Sequence, residues 1–346
     1  MRKVAHKRPF TRPSHLLFYS TVRHSALAAP FCLSGHLPSS MGPGSTFKKG
    51  HLLEADNCTL IKIKQAMPGF DHFIGSWVYR GHITLVVDVG PASSVNNLIE
   101  TLTKMGIDRV DYVLITHIHL DHGGGLAKFL EHFPMAQAVC HEKGKRHIVE
   151  PSKLWEGSQK MLGEIALAYG PPGPVQEERC LAHTEADIKE LRVIETPGHA
   201  AHHLSFSYGG NLFSGEAAGN YYSIMDTDYL RPATPPRFFL EVFLGSLDKL
   251  MALEDQHICY AHCGDAASSH EMLERFRAQI FRWKGVVEKE MLGGHDDLVT
   301  RCVEGLLEKD PDLKAFQLMA PDIQKRERIF MSNSVRGYVD FLQNQG

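Results

Sequence analysis

No apolar run in this sequence approaches the roughly 18 residues of a membrane-spanning helix, so a membrane partner is not expected. Cysteine is scarce: 7 scattered residues in a chain of 346, an odd number, exclude a disulfide framework and favour a reducing compartment. Neither sign of charge dominates. Lys+Arg of 37 against Asp+Glu of 40 leaves a net charge of −3, which argues against a nucleic-acid partner. No short internal repeat is visible. With 43% hydrophobic and 22% charged residues, wholesale disorder is also excluded, and the length suits one large domain or two ordinary ones. The abundant residue is histidine, at 21 copies.

The charge is unevenly distributed. Residues 1–53 carry eight basic side chains and no acid, so the rest of the chain holds 29 basic and 40 acidic residues, a net of −11. Residues 1–50 are therefore expected to be a basic, disordered leader, or translated sequence upstream of a start at Met41. A cleaved organellar transit peptide is the alternative to a cytoplasmic location, because such peptides are basic, Ser-rich and poor in acids. A secretory signal fits poorly, since the apolar stretch Ala26–Leu33 is short and interrupted by Pro30.

Beyond the leader, alternation over Thr59–Lys64 predicts a half-buried strand, and Phe73–Arg80 and His82–Val89 predict a neighbouring pair. Ser94–Met105 predicts a helix ending at Gly106. The almost wholly apolar Asp111–Thr116 predicts a strand buried on both faces. A helical stretch through His132 and a strand at Ala136–His141 follow. Residues 142–185 read as a helical insertion broken at Gly170–Pro174. Strands are expected at Ile188–Thr196, His203–Tyr208, Asn211–Ser214 and Gln256–Ala261, with a helix at Pro235–Leu253. Residues 51–264 form the core domain in this reading, and 265–346 a helical C-terminal extension broken at Ala320-Pro321. The order of elements implies an α+β protein with packed sheets and outer helices.

The decisive segment is Thr116-His117-Ile118-His119-Leu120-Asp121-His122, directly after the buried strand. In extended backbone, alternate residues point the same way, so His117, His119 and Asp121 project together and His122 swings to a neighbouring position. Such a set at a strand end suits one or two transition metals. Three further candidates follow other predicted strands: His199 in Thr196-Pro197-Gly198-His199, Glu216 in Ser214-Gly215-Glu216, and His262 before Cys263 and Gly264.

This ordered set resembles the metallo-β-lactamase-fold superfamily of metallo-hydrolases over residues 55–264, and implies its four-layer αβ/βα sandwich. The resemblance implies that His117, His119 and His199 bind a first divalent ion and Asp121, His122 and His262 a second. Zinc is the first choice, with iron or manganese compatible. Asp88 matches an early aspartate that supports the metal-binding loop by hydrogen bonds. Glu216 stands where the family most often has a bridging aspartate, one methylene longer.

Two ions about 3.5–4 Å apart can share a water and lower its pKa toward roughly 7, giving a hydroxide that attacks an acyl or phosphoryl centre. Asp121 would both ligate and handle the proton. A small-molecule ester, lactone or thioester is the expected substrate. Quorum-quenching lactonases of the superfamily place a tyrosine three residues after the bridging carboxylate, where this chain has Gly219. Tyr221 and Tyr222 are the nearby candidates for substrate contact. Glyoxalase II-like thioesterases use basic C-terminal residues, but Arg275 and Arg277 do not match their spacing. Two alternatives remain at this stage: a mononuclear iron, persulfide dioxygenase-like oxidoreductase using His117, His199 and Glu216, and a metal-binding scaffold without turnover. The apolar stripes of Met272–Met291 and Val335–Leu342 either pack on their own domain or form a homodimer.

Overall fold

Six strands, Cys58–Ile63 (β1), Ile74–Arg80 (β2), Thr84–Val87 (β3), Tyr112–Leu114 (β4), Gln137–Cys140 (β5) and Cys180–Ala182 (β6), form one sheet in that order. The first three pair antiparallel and the rest parallel. They belong to a computed structural model that describes residues 57–294 and 296–344. The expected leader over 1–50 lies outside the described residues. Next come Arg192–Glu195 (β7), Leu204–Tyr208 (β8), Asn211–Gly215 (β9), Asn220–Ile224 (β10), Thr227–Arg231 (β11), His257–Tyr260 (β12) and Asp265–Ala266 (β13). β10 and β11 form a separate hairpin, and the other five make a second sheet ordered β13-β12-β9-β8-β7.

Helices Val95–Lys104 (α1), Leu120–Gly123 (α2), Leu126–His132 (α3), Glu142–Val149 (α4), Ser152–Leu162 (α5) and Glu164–Tyr169 (α6) accompany the first sheet. Leu240–Met251 (α7), Ser269–Met291 (α8), Leu298–Lys309 (α9) and Pro321–Gln343 (α10) accompany the second. α1 shows why: Val95, Leu98, Ile99 and Leu102 recur at helical spacing and are all buried. α8 begins at an N-cap, Ser268, whose hydroxyl accepts the Glu271 N–H.

Three apolar clusters define the layers. Trp77, Leu85, Val87, Leu114 and Val139 from the first sheet meet Leu204, Phe206, Phe213 and Cys259 from the second. On the outer face of the first sheet, Val86, Val113 and Ala138 pack with Leu98, Leu102, Phe129 and Ile148 of the helices. On the outer face of the second, Leu212, Ile258 and Tyr260 pack with Leu247, Phe276, Trp283 and Val335. The result is the expected α+β arrangement of helix, sheet, sheet and helix. Both apolar stripes of the C-terminal region are spent here: Met272, Phe276, Ile280 and Val287, and Val335, Tyr338 and Phe341, are buried in this last cluster.

Two local expectations are corrected. The stretch 142–185 holds three helices as expected, but it ends in β6, which pairs with β5 at the sheet edge. Three residues are too short for any alternation to show. Residues 221–236, to which the sequence pattern assigns no strand, contain most of the β10–β11 hairpin. Its turn, Met225-Asp226, has positive φ at both residues (49° and 60°) without the glycine or asparagine that signals such turns.

The last helix is fastened to the body by a buried charge cluster. Glu327 accepts hydrogen bonds from Arg231, Arg326 and the Tyr229 hydroxyl, and is fully buried. Burial alone would raise its carboxyl, but Arg231 and Arg326 outweigh it and pull it down to about 2. A depressed folded-state pKa stabilises the fold above the unfolded value and is lost on acidification. Glu327→Gln should therefore cost about 3–5 kcal/mol at neutral pH, the usual penalty for stranding one side of a buried pair. In urea titrations the wild-type advantage should stay constant above pH 4.5 and fade as pH falls toward about 2. An advantage that does not vary with pH would show that Glu327 acts by packing alone.

Candidate metal centre

Every candidate ligand follows the carboxyl end of a strand. His117–His122 follow β4, His199 follows β7, Glu216 follows β9 and His262 follows β12. The packing of the two sheets brings these ends together, although the residues lie far apart in sequence. The potential ligand atoms of His117, His119, His199 and Glu216 all lie within 4.8 Å of one another, as do those of Asp121, His122 and His262. The sequence reading places Glu216 between the two sets; by distance it falls with the first.

Glu216 spans them. Its Oε2 lies 2.8 Å from His199 Nε2, 3.5 Å from His117 Nε2 and 3.6 Å from His122 Nε2, while its Oε1 lies 3.3 Å from His262 Nε2. The extra methylene over aspartate thus lets one carboxylate face both sets. Asp121 Oδ2 sits 3.7 Å from His122 Nε2 and 3.9 Å from His262 Nε2. Burial would raise the Glu216 carboxyl, but His199 and His262 hold it well below the usual range. Burial and neighbouring imidazoles push His117 and His119 well down, which keeps their rings neutral.

The hydrogen bonds behind the rings decide which nitrogen is free. His122 Nδ1 donates to Asp88 (2.8 Å), His199 Nδ1 to the Ala233 carbonyl (2.6 Å) and His262 Nδ1 to the Phe73 carbonyl (3.2 Å). The Thr116 hydroxyl is committed to Asp88 as a donor (2.8 Å), so it accepts from His117 Nδ1 (3.1 Å). Each of the four rings therefore has a hydrogen on Nδ1 and turns Nε2 toward the carboxylates; burial lowers His122 and His199, but Asp121 and Asp88 beside the first and Glu216 beside the second outweigh it and raise both above the ordinary imidazole value. His117 Nε2 and His122 Nε2 are buried with no hydrogen-bond partner among the described residues. Two buried ring nitrogens without a hydrogen-bond partner, beside two carboxylates, fit divalent metal ions.

Asp88 anchors this arrangement from a strained backbone position, φ +56°. Its Oδ1 accepts the Thr116 N–H (2.8 Å), and its Oδ2 accepts both the Thr116 hydroxyl and His122 Nδ1–H. His203, just past the Thr196-Pro197-Gly198-His199 turn, holds Glu216 in a similar way. Its Nε2 accepts the Glu216 N–H (3.1 Å) while its Nδ1 donates to Thr196 (2.8 Å). His203, Thr196 and Ser205 are linked side by side at the end of the β7–β8 pair.

A third group, His141, His183 and Glu195, also has clustered ligand atoms, but its protons are placed the opposite way. His141 Nδ1 accepts the Lys143 N–H (3.0 Å) and His183 Nδ1 accepts the Glu142 N–H (3.3 Å). Both Nε2 atoms therefore carry hydrogen and face Glu195, at 3.5 and 3.2 Å. This is a hydrogen-bonded clasp between α4, β6 and β7, with no lone pair ready for a metal.

The substrate candidates fare differently. The Tyr221 hydroxyl donates to Asp228 (2.9 Å), and the Tyr222 hydroxyl accepts from Arg326 (3.1 Å). Gly219 has φ +78°, and a Cβ there would lie 2.6 Å from the Arg231 carbonyl oxygen, so no tyrosine fits that position. Tyr169 at the end of α6 lies closer to the chemistry: burial raises its hydroxyl first, and the nearby Asp121 and Glu216 carboxylates raise it further. Burial pushes the Cys263 thiol up to about 12, which disqualifies it as a nucleophile.

Asp88→Asn tests the tautomer argument. An amide nitrogen at Oδ2 cannot accept from His122 Nδ1, so the ring must move its proton to Nε2 and block the site-facing lone pair. Elemental analysis and chelator competition should show two ions in the wild type, not three. In the variant the affinity of one ion should fall about 10–100-fold, the usual effect of losing a ligand's hydrogen-bond partner. Unchanged uptake of both ions would sink the argument.

Known proteins resemble this chain in both sequence and structure. The profile of the Metallo-beta-lactamase superfamily matches residues 73–262, more than half of the chain. A metallo-beta-lactamase fold-containing protein of Sulfurisphaera tokodaii, ST1585, is 25% identical over 231 residues, covering 64% of this chain and 84% of its own. Hydroxyacylglutathione hydrolase of Cupriavidus taiwanensis is 31% identical over 208 residues, covering 57% of this chain and 65% of its own, just under two thirds. The crystal structure of TTHA1429, a metallo-beta-lactamase family protein of Thermus thermophilus, superposes with a TM-score of 0.56 at 20% identity, covering 84% of this chain and 94% of that one. With the profile spanning the strands that carry the site, this chain belongs to the metallo-beta-lactamase superfamily.

Proposed function

We infer that the protein is a metal-dependent hydrolase that takes two divalent ions, with zinc the first choice, and cleaves a small-molecule ester, lactone or thioester. One observation carries this reading: the buried, partnerless Nε2 atoms of His117 and His122 stand in separate ligand sets, joined by Glu216. His117, His119 and His199 would hold one ion and Asp121, His122 and His262 the other. Bound there, the pair would supply an acidified water and polarise the substrate's oxygen.

The remaining chemistry belongs to the chain. Glu216 and Asp121 confine positive charge between the sheet ends, and the network behind Asp88 keeps the imidazoles from turning. Asp121, whose side chain is 19% exposed, is the carboxylate nearer to solvent, against 7% for Glu216. It can accept a proton at Oδ2 and pass it outward. The hydroxyacylglutathione hydrolase relative makes a thioester a natural first substrate. The arginines of the C-terminal helices are already engaged, Arg275 by Asp228 and Asp312 and Arg277 by Asp248. That leaves less positive charge for an anionic leaving group, so neutral esters and lactones belong in the same trial.

An iron dioxygenase with a single ion would need only His117, His199 and Glu216. The complete and preorganised second set favours the hydrolase.

Purified protein should be assayed for metal content and against a panel of esters, lactones, thioesters and phosphodiesters. Two divalent ions per chain and turnover of an acyl substrate are expected, and Asp121→Asn should lower kcat roughly 10²–10⁴-fold. One iron per chain with thiol-dependent oxygen consumption would replace this reading by the dioxygenase. Full metal loading without turnover would favour a binding scaffold.

A further inference from the structure

The last helix lies outside the residues matched to the superfamily profile, which end at 262, yet it reaches a ligand of the metal centre. The connection runs through Phe73. Its carbonyl accepts the His262 Nδ1–H (3.2 Å), and its ring stacks on the His262 ring with centroids 4.2 Å apart and planes 19° from parallel. A single residue thus fixes both the proton position and the plane of His262.

Phe73 is itself held from α10. The Arg326 guanidinium carbon lies 3.8 Å from the Phe73 ring centroid. Van der Waals contact leaves room for only one such group on each face, so Arg326 and His262 sandwich the ring. Phe330, one helical turn from Arg326, adds a second parallel contact at 5.7 Å and 18°. Arg326 is only 4% exposed. It is immobilised by Glu327 (2.7 Å), the Tyr222 hydroxyl (3.1 Å) and the Gly69 carbonyl. A cation is attracted to the negative face of a desolvated aromatic ring. Nothing in this arrangement is free to serve a substrate, because every donor edge of Arg326 faces the chain itself. Its position instead suits a brace.

Building on the two-ion reading above, we propose that Arg326 is a positioning residue of the metal centre. It clamps the Phe73 ring and so sets the orientation of His262, the ligand that the second sheet contributes to the Asp121–His122 set. The C-terminal region is then part of the site's support rather than an appended module.

The test uses the full chain, metal-stripped and titrated with zinc under chelator competition, and with Co(II) as a spectroscopic probe. Arg326→Met keeps the apolar stem but removes the cation. Phe73→Leu leaves the Arg326–Glu327 pair in place and removes the stack, so it serves where the first variant fails to fold. In both, the affinity of the ion at the Asp121–His122–His262 set should fall about 10–100-fold, with a change in its Co(II) absorption. The other ion should hold within twofold. Phe73→Tyr, which restores a ring, should recover wild-type binding. Equal weakening of both ions, or unchanged affinity and spectra in both variants, would overturn the proposal while leaving the two-ion reading intact. A wild-type chain that binds fewer than two ions would overturn both.

Discussion

The metal centre depends on one buried carboxylate that touches no substrate. Asp88 sits at the end of β3 in a left-handed backbone conformation and spends both oxygens on the adjacent loop. One consequence is a fixed entry angle for the chain at Thr116, from which His117 and His119 project. Another is a proton held on the rear nitrogen of His122. A buried carboxylate without such partners would be costly, and here three donors satisfy it. The loop makes a return contact, since the His122 carbonyl accepts the N–H groups of Val89 and Gly90 at 2.8 and 3.2 Å. Ligand loop and supporting turn are therefore a single rigid piece.

That rigidity explains why histidines of the same composition have different roles. Five imidazoles converge at the ends of the sheets. Four turn Nε2 forward because an oxygen behind them takes the Nδ1 hydrogen. His119 instead presents Nδ1, which lies 3.1 Å from His199 Nε2. In His141 and His183, main-chain N–H groups occupy the same rear position and reverse the outcome. Residue type and proximity are equal in the two places. The group behind the ring makes the difference, and that is a property of the fold.

Much of the site was legible because metal ligation compresses into short spacing. His117, His119, Asp121 and His122 lie within six residues after a buried strand, and His199, Glu216 and His262 each end a recognisable strand. The main sheets were readable for the same reason, since alternation and apolar runs leave a periodic trace. The rest leaves no such trace. β6 is three residues long, and the β10–β11 turn uses residues that seldom adopt positive φ. The contacts of Phe73 with His262 and of Arg231 with Glu327 join positions that no local pattern relates. Tyr221 and Tyr222 looked suitable by sequence distance from Glu216, but the hairpin turns one toward Asp228 and the other toward Arg326.

The sandwich of Arg326, Phe73 and His262 also places the two ends of the described chain in one contact. Arg326 bonds to the carbonyl of Gly69, 257 positions earlier. During synthesis at about 5–20 residues per second, both sheets and all seven ligands are complete before α10 has been made. For those last seconds His262 is present but unbraced. If the brace acts as proposed, a chain that stops before α10 would carry every candidate ligand yet lack the support behind one of them.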